Sequence, residues 1–232
     1  MTKVFAFIFA RGGSKGLKRK NVLELGGLPL IAHSILLAKK IQRVQKVFVS
    51  TEDNEIKRIA HDFGAEVISR PRALASDQAA ELDAWKHAIG HLFEKEEIFD
   101  VFLSLPTTSP LRNECDINTC LDTLTDDTDL VITATPSSRN PFFNMVTRKE
   151  NGDSKIVFSE ATYAHRQAAP DVFDITTVAY VSRPEFILKC KNIFEGAVKS
   201  VLIPKQRAVD IDDSLDFKIA KLLWEEAKFN ER

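Results

Sequence analysis

A basic, glycine-rich stretch near one end of the chain has the composition of an anion-binding loop. Five cationic side chains and three glycines fall within residues 11–21, directly after an apolar run. Lysine and arginine supply positive charge, and glycine lets backbone amides approach a ligand closely. The stretch therefore predicts a polyphosphate site, although a solvated basic turn has a similar composition. Its spacing matches neither the G-x-x-x-x-G-K-[ST] loop of P-loop NTPases nor the G-x-G-x-x-G loop of dinucleotide-binding proteins.

A pair of aspartates, Asp210 and Asp212, is the second candidate site. In an extended backbone, residues two apart point to the same side, and two carboxylates at this spacing can share Mg²⁺ with phosphate oxygens. The competing interpretation is that Asp212 or Asp213 caps a helix that starts near Ser214. The two interpretations are compatible if Asp213 caps the helix while the other two aspartates bind the metal.

Arg166, within the polar stretch 163–167, is the third candidate. Its guanidinium group could clamp a carboxylate with two hydrogen bonds, but a surface ion pair would use the same residue. The five histidines show no metal-ligand spacing, no Ser-His-Asp triad is apparent, and nothing marks a cysteine as a nucleophile.

The elements that must position these residues alternate between strands and helices. Strands are predicted at 4–10, 46–50, 66–68, 101–105 and 130–134, and helices at 30–40, 54–63, 79–94 and 114–125. Apolar strands that alternate with helices predict an α/β fold with a doubly wound, mostly parallel sheet. In such folds, ligands bind at the carboxyl ends of the strands, which is where the basic loop lies.

The alternation stops near residue 136. From 136 to 174 the helical periodicity disappears, and the apolar residues at 140–146 and 155–158 would cover the core or contact a partner chain. A strand at 176–181, a helix at 184–190, a strand at 198–203 and an amphipathic helix at 214–229 complete the prediction.

Length and composition limit the class of protein. A chain of 232 residues with 44% hydrophobic side chains can bury the core of one large domain. The net charge of −1 argues against general attraction to nucleic acid or to an anionic membrane. The apolar run at 4–10 is too short to span a bilayer, and the three cysteines, which form no C-x-x-C pair, indicate a reduced, cytoplasmic setting.

Four motifs in order resemble those of the acylneuraminate cytidylyltransferases, also called CMP-sialic acid synthetases. The A-R-x-G-S-K-x-x-x-x-K-N loop of that family matches residues 10–21, and its R-P-x-x-L-A-x-D stretch matches residues 70–77. Its P-T-S-P-L-R loop resembles residues 106–112, and its D-x-D pair matches Asp210 and Asp212.

The resemblance implies a Rossmann-like nucleotidyltransferase fold and a specific reaction. It implies a single domain over residues 1–232, with an arm at 136–172 that covers the sugar and joins two subunits in a homodimer. The implied reaction is the Mg²⁺-dependent transfer of CMP from CTP to the anomeric hydroxyl of a nine-carbon α-keto acid sugar, with release of pyrophosphate. Such a product would serve cell-surface polysaccharide biosynthesis.

The resemblance also implies roles for individual residues. Arg11, Lys20 and Asp212 are the implied catalytic residues, and Asp210 and Asp212 are the implied metal ligands. The implied nucleotide-binding residues are Ala10, Arg11, Gly12, Gly13, Ser14, Lys15, Lys20, Asn21, Arg70, Ser76 and Asp77. The implied substrate-binding residues are Leu105, Thr107, Arg166, Gln167 and Thr177. No general base is apparent.

Two departures from the family pattern lie where the family binds its sugar. Leu105 occupies a position that is glutamine in many sialic acid enzymes, and Thr176-Thr177 replaces an Asn-Gly pair. The acceptor therefore stays open between N-acetylneuraminate and a bacterial relative such as legionaminic or pseudaminic acid. Two further hypotheses are an eight-carbon Kdo-type cytidylyltransferase and a nucleotide-binding module without catalysis.

Overall fold

The structure, a computed structural model, describes residues 2–14, 16–159, 163 and 165–230, except the side chains of 166 and 230. The strands are β1 Val4–Phe9, β2 Glu24–Leu25, β3 Leu28–Pro29, β4 Val44–Thr51, β5 Glu66–Ser69, β6 Val101–Ser104, β7 Leu130–Pro136, β8 Val146–Arg148, β9 Ser154–Ile156, β10 Phe173–Ser182 and β11 Val198–Leu202. The α-helices are α1 Leu30–Lys40, α2 Asn54–Asp62, α3 Glu81–Phe93, α4 Glu114–Thr123, α5 Pro184–Lys189 and α6 Ser214–Asn230. Short 3₁₀ turns lie at Lys20–Val22, Arg72–Ala75 and Arg166–Ala168.

The described residues form a central seven-stranded sheet in the order β11-β7-β10-β6-β1-β4-β5. Four of the six strand pairings in this sheet are parallel, namely β1 with β4, β1 with β6, β4 with β5 and β7 with β11. The two pairings of β10, with β6 and with β7, are antiparallel. The predicted doubly wound, mostly parallel sheet is therefore confirmed. The antiparallel strand β10 follows the segment in which strands and helices stop alternating. A parallel strand would need a crossover connection, usually a helix, and the described residues of this segment form no α-helix.

Strand β1 supplies side chains to both faces of the sheet. Ala6 and Ile8 lie in an aliphatic core cluster that includes residues of α1, α2 and α4. Phe5 and Phe7 lie in an aromatic cluster with Trp85 of α3. Successive side chains of a strand point to opposite faces, so a strand covered on both sides needs an uninterrupted apolar run.

The remaining elements follow the predicted pattern with small shifts in their bounds. Helix α2 ends before Gly64, whose φ of +77° suits glycine, as the sequence predicts. Helix α3 begins at Glu81, two residues after the predicted start. Strands β8 and β9 form a separate hairpin within the predicted arm, and a role for this arm in joining subunits stays a prediction. None of the helices in the described ranges has the length and apolar character needed to cross a membrane.

Candidate active site

One open cavity of about 320 Å³ gathers most of the predicted site residues. It lies where the loops after β1 and β6 meet the segment before α6. Lys20 and Asp212, which are 192 positions apart in the sequence, are hydrogen bonded there. The predicted residues that line the cavity are Arg11, Gly13, Ser14, Lys20, Asn21, Arg70, Ser76, Asp77, Thr107, Thr177, Asp210 and Asp212.

The two cations predicted to act in catalysis lie on the cavity wall, and each contacts a carboxylate. Arg11 Nη1 lies 2.8 Å from Asp77 Oδ1. Lys20 Nζ donates to Asp212 Oδ1 at 3.0 Å and to the Ile211 carbonyl at 2.6 Å. Because the side chain of Lys20 is only 12% exposed, these contacts hold its charge at a defined place in the cavity.

Asn21 connects the basic loop with the loop that follows β6. Its Nδ2 donates to the Arg11 carbonyl at 2.9 Å, and its Oδ1 accepts a hydrogen bond from Thr107 Oγ1 at 2.5 Å. Asn21 and Thr107 are both buried. Asn21 thus shapes the loop through contacts within the protein, and its predicted contact with the nucleotide stays a prediction.

Arg70 and Phe9, whose side chains end in planar groups, lie side by side in the cavity lining. The guanidinium group of Arg70 lies 5.7 Å from the centroid of the Phe9 ring. It donates to the carbonyl of Ser50 at 2.6 Å and to its hydroxyl at 3.2 Å. Burial lowers the pKa of Arg70. The wall continues with small apolar side chains at Ala80 and Ala84, so this part of the cavity suits a planar group such as a base.

The aspartate pair faces the cavity because the residue between its members is buried. Ile211 has no exposed surface and packs in a cluster with Leu25 and Ala220. Its amide donates to the Thr108 carbonyl at 2.9 Å. While Ile211 is directed into the protein, the residues on either side of it both line the cavity.

The carboxylate of Asp210 has an unsatisfied oxygen. Its Oδ1 is buried without a hydrogen-bond partner among the described residues. Desolvation raises the pKa of Asp210, and the charge of Asp212 raises it further, whereas hydrogen bonds from Thr108 and Thr177 lower it. A buried, unpaired carboxylate oxygen beside a second carboxylate is the environment that a hard cation would satisfy.

Asp213 caps helix α6. Its Oδ1 accepts hydrogen bonds from the amides of Leu215 at 2.7 Å and Asp216 at 3.1 Å. In return, Asp216 Oδ2 accepts from the amides of Asp212 and Asp213 at 3.0 Å each. This reciprocal arrangement is a capping box, and the predicted division between a capping Asp213 and two cavity aspartates agrees with it.

The donor set around Asp210 and Asp212 fits Mg²⁺. No cluster of three or more His, Cys, Asp or Glu side chains that could hold a metal occurs in the described part of the chain. Mg²⁺ commonly takes one or two carboxylates and completes its six ligands with substrate phosphates and water. Two aspartates in a cavity lined with cationic residues suit that mode of binding.

The sequence profile described as Cytidylyltransferase matches residues 5–200 of the chain. The protein belongs to the cytidylyltransferase family. It is therefore a nucleotidyltransferase, and the family resemblance drawn from the motifs is confirmed.

Several known proteins are similar to this cytidylyltransferase. It is 35% identical to post-translational flagellin modification protein B of Campylobacter coli, over 97% of each chain. It is 34% identical to CMP-N,N'-diacetyllegionaminic acid synthase of Campylobacter jejuni, over 96% of this chain and 95% of the relative. A structure of CMP:2-keto-3-deoxy-manno-octonic acid synthetase complexed with CTP superposes with a TM-score of 0.70 and 18% identity, covering 97% of this chain and 100% of the other. At that identity the likeness shows the fold alone.

Three predicted binding residues next to β1 and β6 do not line the cavity of this cytidylyltransferase. Leu105 and Ala10 have no exposed surface and pack in the aliphatic core. The amide of Leu105 donates to the Phe7 carbonyl at 2.9 Å, so the chain after β6 still pairs with β1 and the Leu105 side chain packs inward. A contact between Leu105 and the sugar stays a prediction. Gly12 lies outside the cavity lining, and its amide donates to Glu52 Oε1 at 2.7 Å.

Gln167, a predicted sugar-binding residue of the arm, does not line this cavity. Gln167 lines a second cavity of about 380 Å³, together with Asn140, Asp171 and Phe173. Lys15 and the side chain of Arg166 lie outside the described residues, so their predicted contacts stay predictions.

Glu81 is a cavity residue that the sequence reasoning missed. It lines the cavity at the start of α3, and its Oε1 accepts a hydrogen bond from Trp85 Nε1 at 3.3 Å. Desolvation by the surrounding protein raises the pKa of Glu81, and Trp85 and Arg70 oppose this effect, although the residue keeps exposed surface toward the cavity. The sequence signal that could have indicated Glu81 was its position at the start of a helix, four residues after Asp77.

Arg112, the last residue of the P-T-S-P-L-R-like loop, is buried next to the cavity-lining residue Thr177. It is 5% exposed. It donates to the Val178 carbonyl at 2.9 Å and to the Ser34 hydroxyl at 2.5 Å. Burial lowers the pKa of Arg112. It therefore joins α1 to β10 beside Thr177, whose hydroxyl lies 2.7 Å from that of Ser109.

Proposed function

We propose that the protein transfers CMP from CTP to the anomeric hydroxyl of a nonulosonic acid, with Mg²⁺, and releases pyrophosphate. The observation that carries this proposal is the meeting of two cations, Arg11 and Lys20, with two aspartates, Asp210 and Asp212, in one cavity. The 34% identity to a CMP-N,N'-diacetyllegionaminic acid synthase favours a legionaminic-type acceptor.

Arg11 and Lys20 would bind the triphosphate and neutralise the charge that develops during transfer. In-line attack on a phosphorus atom needs positioning and charge stabilisation more than covalent help from the protein. Lys20 is suited to this role because its Nζ is fixed by Ile211 and Asp212, and a preorganised charge needs no rearrangement when the reaction occurs.

Asp210 and Asp212 would hold Mg²⁺ together with phosphate oxygens. When bound, the metal supplies positive charge to the phosphates and lowers the pKa of an oxygen that it coordinates. The chain's own contribution is to keep both carboxylates facing the cavity through the burial of Ile211. The planar side chains of Arg70 and Phe9 would hold the cytosine ring of the nucleotide.

The predicted dimer arm is also part of the proposal. Within residues 136–172, the large apolar side chains of Met145, Val146 and Phe158 are 40%, 55% and 50% exposed. A second copy of the chain would cover them in a homodimer. Light scattering of the purified protein measures the mass; a monomer at micromolar concentration would contradict this part of the proposal.

A substrate panel tests the reaction. Pyrophosphate release is measured with CTP, Mg²⁺ and one acceptor at a time: N,N'-diacetyllegionaminate, N-acetylneuraminate, pseudaminate or Kdo. We expect the highest kcat/KM with a nine-carbon acid. Release with Kdo alone would support the eight-carbon alternative instead. Binding of CTP without release from any acceptor would support the non-catalytic alternative.

A further inference from the structure

Arg19 belongs to the basic loop but does not face the cavity. Its neighbour Lys20 lines the cavity, whereas Arg19 is absent from the described lining. The guanidinium group of Arg19 instead reaches the turn between β4 and α2. Its Nη1 donates to Asp53 Oδ2 at 2.6 Å, its Nη2 donates to Asp53 Oδ1 at 3.2 Å, and Nη2 also pairs with Glu55.

The partner carboxylate is itself held in place. Asp53 is the N-cap of α2, and its Oδ1 accepts hydrogen bonds from the amides of Glu55 and Ile56 at 3.0 Å each. The side chains of Arg19 and Asp53 are 32% and 20% exposed. A bidentate contact to a carboxylate that a helix end orients is more restrictive than an exposed ion pair. The contact with Arg19 also lowers the pKa of Asp53.

The backbone at Arg19 needs such support. Arg19 has a φ of +57°, in the left-handed region that residues other than glycine seldom occupy. The next three residues, Lys20–Val22, form the 3₁₀ turn from which Lys20 enters the cavity. A strained conformation persists only when its surroundings hold it, and here the described surroundings include Asp53 and Glu55.

The same turn also holds the other end of the loop. The amide of Gly12 donates to Glu52 Oε1 at 2.7 Å. A β-carbon at position 12 would lie 2.5 Å from Asp53 Oδ2, so only glycine lets the loop approach the turn this closely. Two consecutive acidic residues after β4, Glu52 and Asp53, therefore fasten the loop at Gly12 and at Arg19.

We propose that Arg19 and Asp53 are positioning residues, whose ion pair fixes the loop so that Lys20 points into the cavity. Arg19 is then not one of the phosphate-binding cations, despite its place in the basic stretch. The inference rests on the proposed function in one respect, namely that the cavity binds the triphosphate of CTP.

A set of variants tests the pair. D53N removes the charge but keeps an N-cap, since asparagine caps helices as well as aspartate does. R19Q releases the loop from both Asp53 and Glu55, and R19K keeps the charge without the bidentate contact. D122N is the matched control, because it removes the charge of Asp122 on α4 from its exposed pair with Arg43, which lies between α1 and β4. The side chains of Arg43 and Asp122 are 44% and 71% exposed. CTP binding is measured by calorimetry without acceptor, and turnover by pyrophosphate release.

We expect R19Q to weaken CTP binding by about tenfold, because small misplacements of a binding group have large effects. D53N should show a part of that loss, and it should add nothing further in the R19Q background, since the two residues act through one contact. R19K should recover part of the affinity. The KM for the acceptor and the thermal midpoint of D53N should stay near those of the D122N control.

Three results would contradict the proposal that the Arg19–Asp53 ion pair positions the loop. Wild-type CTP affinity in D53N would show that the contact does not position the loop. A loss in R19Q that D53N does not share would make Arg19 a phosphate ligand. Additive losses in the double variant would mean that the residues act separately. If the unmodified protein binds no CTP, both the proposed function and the positioning role of Arg19 and Asp53 are contradicted. The other three results contradict the positioning role alone.

Discussion

Replacing Lys20 with alanine separates the role of its charge from its role in the structure. The substitution removes a 12% exposed ammonium group and leaves Asp212 without this partner, but the Asp212 side chain is 76% exposed and stays hydrated. The loss of stability should therefore be about 1 kcal/mol, which for a domain of this size lowers the thermal midpoint by roughly 2–4 °C. Loss of one preorganised charge from the reaction site should lower kcat by ~10²-fold or more, which is about 2.7 kcal/mol.

The assay is pyrophosphate release at saturating CTP and acceptor, with the thermal midpoint measured on the same samples. Lys18→Ala is the matched control, because Lys18 is an exposed lysine of the same loop that does not line the cavity. We expect K18A to stay within about threefold of the unmodified rate. A K20A rate close to that of K18A would refute this role, because the charge that Lys20 places in the cavity would then make no difference to turnover.

Three further predictions concern the aspartate pair and its support. Asp212→Asn should abolish Mg²⁺-dependent turnover without changing the far-UV circular dichroism spectrum, and a full rate would refute its assignment as a metal ligand. Desolvation raises the pKa of Asp210, so in the protein without Mg²⁺ this residue should gain a proton at a higher pH than an ordinary aspartate near 3.9. An NMR titration of the metal-free protein measures this pKa, and a value at or below that of an ordinary aspartate would contradict the burial of the Asp210 carboxylate. Arg112→Ala removes the donor that the Val178 carbonyl and the Ser34 hydroxyl share. The loss of stability for these buried groups should be about 3 kcal/mol, which lowers the thermal midpoint by roughly 6–12 °C. A fall below about 2 °C would show that the contacts do not stabilise the fold.

Local patterns in the sequence were sufficient for most of the elements. The helix predicted at 30–40 is α1, Leu30–Lys40, without a shift, because its apolar residues recur with helical spacing. The continuous apolar run at 4–10, which forms β1, correctly predicted a strand buried on both faces. The antiparallel strand β10 had no local signal for its direction, since direction depends on how the chain returns to the sheet.

The sequence also determined the family and the order of the site motifs, because residue types and their spacing are written along the chain. It did not determine which side chains of a motif face the cavity. Leu105 directly precedes the motif at 106–112 but packs in the core. Arg19 and Lys20 are adjacent and both cationic, yet one contacts Asp53, 34 positions away, and the other contacts Asp212, 192 positions away. Only the tertiary structure decided between them, because the orientation of a charged side chain is set by the distant carboxylate that it meets.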